Sequence, residues 1–111
     1  MSIIDLGKFA AVHLQGARGN SDYLKTETFQ YLHSPDSSIG SGRSWALGSV
    51  NWATGKVLWH AGNNLKNFAL CHIVPDENFS ICIATNIWFE GLHNDIDKLN
   101  IEIARHIQTN R

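Results

Sequence analysis

The stretch that decides the fold is Asn67-Phe-Ala-Leu-Cys-His-Ile-Val-Pro-Asp-Glu-Asn-Phe-Ser-Ile-Cys-Ile-Ala-Thr-Asn86. Two runs rich in β-branched and aromatic residues, 67–75 and 79–86, flank the short polar break Pro75-Asp76-Glu77-Asn78. A break of this length suits an antiparallel hairpin. If Val74 pairs with Phe79 around it, Leu70 lies opposite Ile83 and Cys71 opposite Cys82. Opposed side chains at that spacing touch, but the geometry suits two reduced, buried thiols better than an unstrained disulfide. Both runs are apolar on both faces, so the sheet they build needs cover on both sides.

Working outward, two further runs precede the hairpin: Ser44-Trp-Ala-Leu-Gly-Ser-Val-Asn-Trp52 and Lys56-Val-Leu-Trp-His-Ala-Gly62. Ala53-Thr54-Gly55 and Asn63-Asn64-Leu65-Lys66 separate them, and Asn63-Asn64 is a turn pair in its own right. The four runs predict an antiparallel four-stranded meander.

Helices flank it. Ser2 with Asp5 three residues on has the form of a capping box. Leu6, Phe9, Ala10, His13 and Leu14 follow at helical spacing, with Gly16 as the expected stop. Thr26 and Glu27 open a short helix through Leu32, ended by His33-Ser34-Pro35. Residues 34–44 make a Ser- and Gly-rich connector. The last segment, 94–109, carries Ile96, Leu99, Ile103 and Ile107 as its apolar stripe, with Ala104 beside it and Asn94 as the expected N-cap. The fold class is therefore α+β: one domain, residues 1–111, with a four-stranded antiparallel meander between N-terminal and C-terminal helices.

Composition narrows the function classes. The chain has 111 residues, 43% hydrophobic and 17% charged, with a net charge of −1, which provides no field to draw in nucleic acid or anionic lipid. Its apolar runs fall well short of the roughly 20 residues that span a bilayer, so no membrane association is expected. The N-terminal stretch carries acid and base within its apolar pattern, unlike a signal peptide. Two cysteines are too few for a disulfide scaffold, and the compartment stays open. The six histidines show no metal-ligand spacing, so no metal or other cofactor is expected. His93-Asn-Asp-Ile-Asp97 lacks the alternating ligands and glycine of a calcium loop and suits a capped helix start. Gly40-Ser41-Gly42 is too small a fragment for a phosphate loop. Tryptophans 45, 52, 59 and 88 suit core and cross-strand packing better than a stacking platform.

The order of several weak motifs resembles the C-terminal portion of the serine β-lactamase and penicillin-binding-protein-like hydrolases, in their class C-related branch. The segments 3–16 and 24–35 resemble that family's helix, loop and short helix ahead of the sheet. Trp45-Ala-Leu-Gly48 resembles its strand with a Leu-Gly pair, Trp59-His-Ala-Gly62 its His-x-Gly motif, and Ile73–Asn86 its closing hairpin. The resemblance covers nearly the whole chain. It implies a partial β-lactamase/transpeptidase-like fold and, in a complete protein, hydrolysis of an amide, lactam or ester through an acyl-enzyme. His60 and Gly62 then belong to the motif lining the cleft, and the backbone N–H of Asn63 matches the second oxyanion donor. A surface or structural histidine is the plain alternative for His60.

Two family motifs are absent from the 111 residues. No serine has a lysine three residues later, and neither tyrosine leads a Y-x-N. The nucleophile that S-x-x-K would supply is missing. The expectation is a C-terminal part that is inactive alone and whose His60 and Asn63 border a shallow, open groove. The competing class is a non-catalytic binding or assembly domain that kept the sheet. Strand 79–86 would have an unprotected apolar edge and the sheet an uncovered face, so the expected partners are a second copy of the chain or a separate N-terminal half. A small-molecule substrate is implied only for the complete protein. A periplasmic or secreted location is common in the family.

Overall fold

A computed structural model describes residues 2–36, 41–42 and 45–111. It is α+β, with three α-helices and a four-stranded antiparallel sheet. Helix α1 runs Ile3–Ala17, and the expected capping box is present: Ser2 Oγ accepts from the Asp5 N–H at 3.1 Å and the Asp5 carboxylate accepts from the Ser2 N–H at 3.3 Å. Gly16 does not stop the helix. It is buried in its last turn, and a Cβ there would fall inside the Phe29 ring. Helix α2, Thr26–Leu32, brings Phe29 to that spot and leaves it 1% exposed. The glycine therefore serves helix–helix approach, a role sequence cannot distinguish from termination.

Pro35–Asp36 (β1) pairs antiparallel with Ser41–Gly42 (β2) in a two-residue ladder. Gly40 lies outside the described residues. Strand β3 is short, Ala46–Gly48, where a run to Trp52 is expected. Beyond Gly48 the chain leaves the ladder, and Trp52 packs edge-on against the His72 ring, centroids 5.1 Å apart. Strands β4 (Val57–Asn63), β5 (Phe68–Val74) and β6 (Phe79–Thr85) complete the sheet in the order β3-β4-β5-β6.

The deciding hairpin has the expected register: Val74 faces Phe79, Leu70 faces Ile83 and Cys71 faces Cys82. Its turn is a single 3-10 turn over Pro75–Glu77, closed by Asn78 in the left-handed region at φ 59°. The two thiols are unbridged, with Sγ atoms 3.0 Å apart. Cys71 is buried and Cys82 partly so.

Helix α3 spans Leu92–Thr109 and covers one sheet face. Its N-cap is Gly91, three residues before the expected Asn94: at φ 92° Gly91 turns the chain into the helix, and its carbonyl accepts the Asn94 N–H. The buried line along α3 is Leu92, Ile96, Asn100 and Ala104, while Leu99 is 43% exposed. At its far end Glu77 is the tie. Its carboxylate accepts from the Thr54 N–H at 2.8 Å and meets Gln108 and Arg111, which holds its pKa below the ordinary range.

The other face is better covered than expected. Ala10 and Leu14 of α1 pack with Trp45, Leu58, Cys71 and Ile73 in a second core, and Ile73 is fully buried. The sheet thus has a layer of helix on each side. Strand β6 remains an outer strand, bonded only to β5 among the described residues.

Candidate functional site: an open edge of strand β4

Strand alternation sends His60 and Gly62 to the α1 face and Ala61 to the α3 face. Past Trp59, β4 outruns its neighbour: β3 pairs with Val57, Leu58 and Trp59 and no further. Residues 60–63 therefore bond only to β5, and among the described residues no strand flanks their other edge.

The turn fixes which amides point outward. The Asn64 N–H donates to the Asn67 carbonyl at 3.3 Å. Antiparallel alternation then makes Gly62–Ala69 and His60–Cys71 the hydrogen-bonded pairs, and turns the N–H groups of Ala61 and Asn63 away from β5. The Asn63 and Asn64 side chains hold the turn: Asn63 Oδ1 accepts from the Leu65 N–H at 3.2 Å, and Asn64 Oδ1 accepts from the Asn67 N–H at 2.8 Å. Leu65 sits at φ 70°, a left-handed conformation uncommon for leucine, inside this braced turn.

A groove of about 650 Å³ lies on this face, bordered by His60, Gly62 and Asn63 and walled by Leu6, Phe9 and Trp45. His60 is exposed and its ring meets Trp45 edge-on at 6.2 Å. Among the described residues it has no hydrogen-bond partner, so no carboxylate orients it. Nothing lies within 4 Å of where a Gly62 Cβ would stand, and its φ is not in the left-handed region. Among the described residues neither packing nor backbone conformation requires glycine here; what it leaves is free space beside His60.

The three residues singled out in sequence therefore come together on one open strand edge. The walls were missed. Phe9 was read as part of a helix stripe, yet it is 47% exposed and stacks on Trp45 at 6.0 Å. Trp45 itself is 3% exposed and does pack as core.

Two histidine contacts were also missed. His13 Nδ1 and His33 Nε2 are 2.9 Å apart, joining α1 to α2. Burial lowers both pKa values, His33 to about 4 with the neighbouring His13 as a second cause. On the α3 face, His72 Nδ1 lies 3.1 Å from Asn100 Oδ1, and burial lowers the His72 pKa too. In the strand pair, the contact with Cys82 and burial push the Cys71 thiol up, which keeps it protonated and unreactive. Among the described residues no three His, Cys, Asp or Glu side chains converge as a metal-ion ligand set would. No helix among them is long and apolar enough to cross a membrane.

The lowered histidines set a pH dependence. Each is favoured as the neutral ring in the fold, so the stability is fully present above the ordinary value of 6.5 and is lost as protons bind the unfolded chain below it. The window closes near 4 for His33. Urea unfolding at pH 7 and pH 4.5 is expected to differ by about 1–2 kcal/mol after solvent screening. His33→Gln should reduce the difference; equal loss in the variant would assign the pH dependence elsewhere.

Compared with protein-family models, curated proteins and solved structures, the chain matches none.

Proposed function

We propose that these 111 residues form one wall of a hydrolase cleft of the serine β-lactamase-related kind, within a partial β-lactamase/transpeptidase-like fold, and that the nucleophile comes from outside this sequence. The observation that carries the reading is the conjunction on one open strand edge of His60, the empty space at Gly62 and the outward N–H of Asn63.

The chemistry follows from that arrangement. A carbonyl substrate laid along the β4 edge can approach closely at Gly62, which has no side chain to block it. As a serine hydroxyl adds to the carbonyl carbon, negative charge gathers on the oxygen, and the Asn63 N–H is one of the two donors needed there. The apolar walls Leu6, Phe9 and Trp45 suit an acyl side chain. His60, untethered by any carboxylate among the described residues, lines the cleft and can donate to or accept from the substrate. The acyl-transfer step itself needs the missing serine. Removing the nucleophile from such a site lowers turnover by roughly 10⁶-fold. The purified chain is expected to leave a chromogenic cephalosporin and a p-nitrophenyl ester at the buffer rate. Saturable turnover abolished by a serine-directed inhibitor would overturn the reading, since it would require a nucleophile within the chain.

A second reading is favoured by one observation: β6 has an unpaired edge among the described residues, and the adjoining Ile87 and Phe89 are 56% and 45% exposed. On this reading the chain is a non-catalytic assembly domain that pairs β6 with a second copy in a two-fold dimer. Light scattering of the same preparation across a dilution series separates the two, because a monomer at all concentrations would remove the dimer.

A further inference from the structure

A second cavity, about 370 Å³, lies on the opposite face of the sheet, between the segment 50–52, strand β4 and helix α3. Its floor is His72, which is 8% exposed and central in β5. Asn100 Oδ1, 1% exposed, accepts from the His72 Nδ1–H at 3.1 Å. That bond fixes the tautomer with the lone pair on Nε2. Among the described residues Nε2 has no hydrogen-bond partner, and no buried side-chain nitrogen or oxygen there lacks one, so Nε2 is an accessible acceptor on an otherwise buried ring.

The walls are of two kinds. Trp52 meets the His72 ring edge-on at 5.1 Å and Trp59 lies tilted at 6.4 Å, both lining the cavity. At the mouth stands Asp97, whose contact is the His93 ring at 3.3 Å. Among the described residues no lysine or arginine lines the cavity, and the one permanent charge they place there is negative.

An accessible imidazole acceptor, two indoles and a carboxylate complement a ligand with N–H donors, a positive charge and an apolar body. An anion would meet Asp97, and a neutral hydrocarbon would leave Nε2 unsatisfied. We infer that this cavity is a binding site for a small primary amine, held as the ammonium between Asp97 and His72 Nε2 with its apolar part against Trp52 and Trp59. The site is separate from the β4 edge and does not rest on the reading proposed for it.

The test is a two-dimensional NMR titration of the whole chain with phenethylamine, following the indole N–H signals. Saturable shifts are expected at Trp52 and Trp59, with Trp45 of the opposite groove unmoved. The neutral analogue 2-phenylethanol should bind at least about tenfold more weakly, and Asp97→Asn should weaken the amine by about tenfold. Asp97 is about half exposed, which favours a folded variant, and Asp97→Glu should restore binding. Equal binding of amine and alcohol, an unaffected Asp97→Asn variant, shifts centred on Trp45, or no saturable shift would each overturn the assignment.

Discussion

Gly16→Ala is expected to destabilise the chain by about 2–3 kcal/mol, against the usual direction for a helix. Alanine is favoured over glycine by roughly 1 kcal/mol in a helix interior, so propensity alone predicts a gain. Here the added Cβ would enter the Phe29 ring. The ring cannot step aside cheaply: it is 1% exposed, and His13 and His33 stand against it at 5.8 and 5.9 Å. Seating the methyl means lifting α2 from α1 and opening the His13–His33 contact. Gly7→Ala on the same helix is the control, because nothing lies within 4 Å of its Cβ position. Urea unfolding should move the two variants in opposite directions. A stabilised Gly16→Ala would mean that α2 does not dock through Phe29.

Asn100→Leu carries the second large effect. The substitution completes an apolar line with Leu92, Ile96 and Ala104, so a reading of helix periodicity expects added stability. The His72 pairing reverses the sign. Leucine removes the acceptor at 3.1 Å and leaves the Nδ1–H of a buried ring unsatisfied. The expected loss is about 2–3 kcal/mol. Thermal unfolding of the variant measures it, and stability equal to the parent would show that the pair contributes nothing.

Both examples show where sequence falls short and why. The β5–β6 hairpin was legible to the residue, because a short turn and two apolar runs leave few registers, and a slip of one would turn every side chain over. Helix α3 was legible as an element and its buried line in part: Ile96 and Ala104 are buried and Ile103 and Ile107 pack against the core as expected, whereas Leu92 and Asn100 were not foreseen. Hydrophobicity pointed to Leu99, which is 43% exposed, whereas Asn100, paired with His72, is 1% exposed. Gly16 was misread because a stop and a close approach leave the same letter. Strand β3 was overestimated because Trp52 is claimed by a long-range contact with His72.

The candidate site divides in the same way. His60, Gly62 and Asn63 are local in sequence and were found together. Phe9 and Trp45, which wall the groove, meet only when α1 packs across the sheet, and no local pattern announces that. The pairing of His72 with Asn100 likewise joins a strand to a distant helix.

The central claim is that the open β4 edge receives a carbonyl substrate at Gly62. Gly62→Val tests it without endangering the fold, since valine suits a strand, the Cβ position is empty and glycine there costs about 0.5–1 kcal/mol. The measurement is an NMR titration of parent and variant with a phenylacetylated β-lactam, following the backbone amides. The account predicts saturable shifts centred on His60, Gly62 and Asn63 in the parent, and their loss in a variant at least as stable. Shifts that survive Gly62→Val unchanged, or a parent that shows none along this edge, would contradict it.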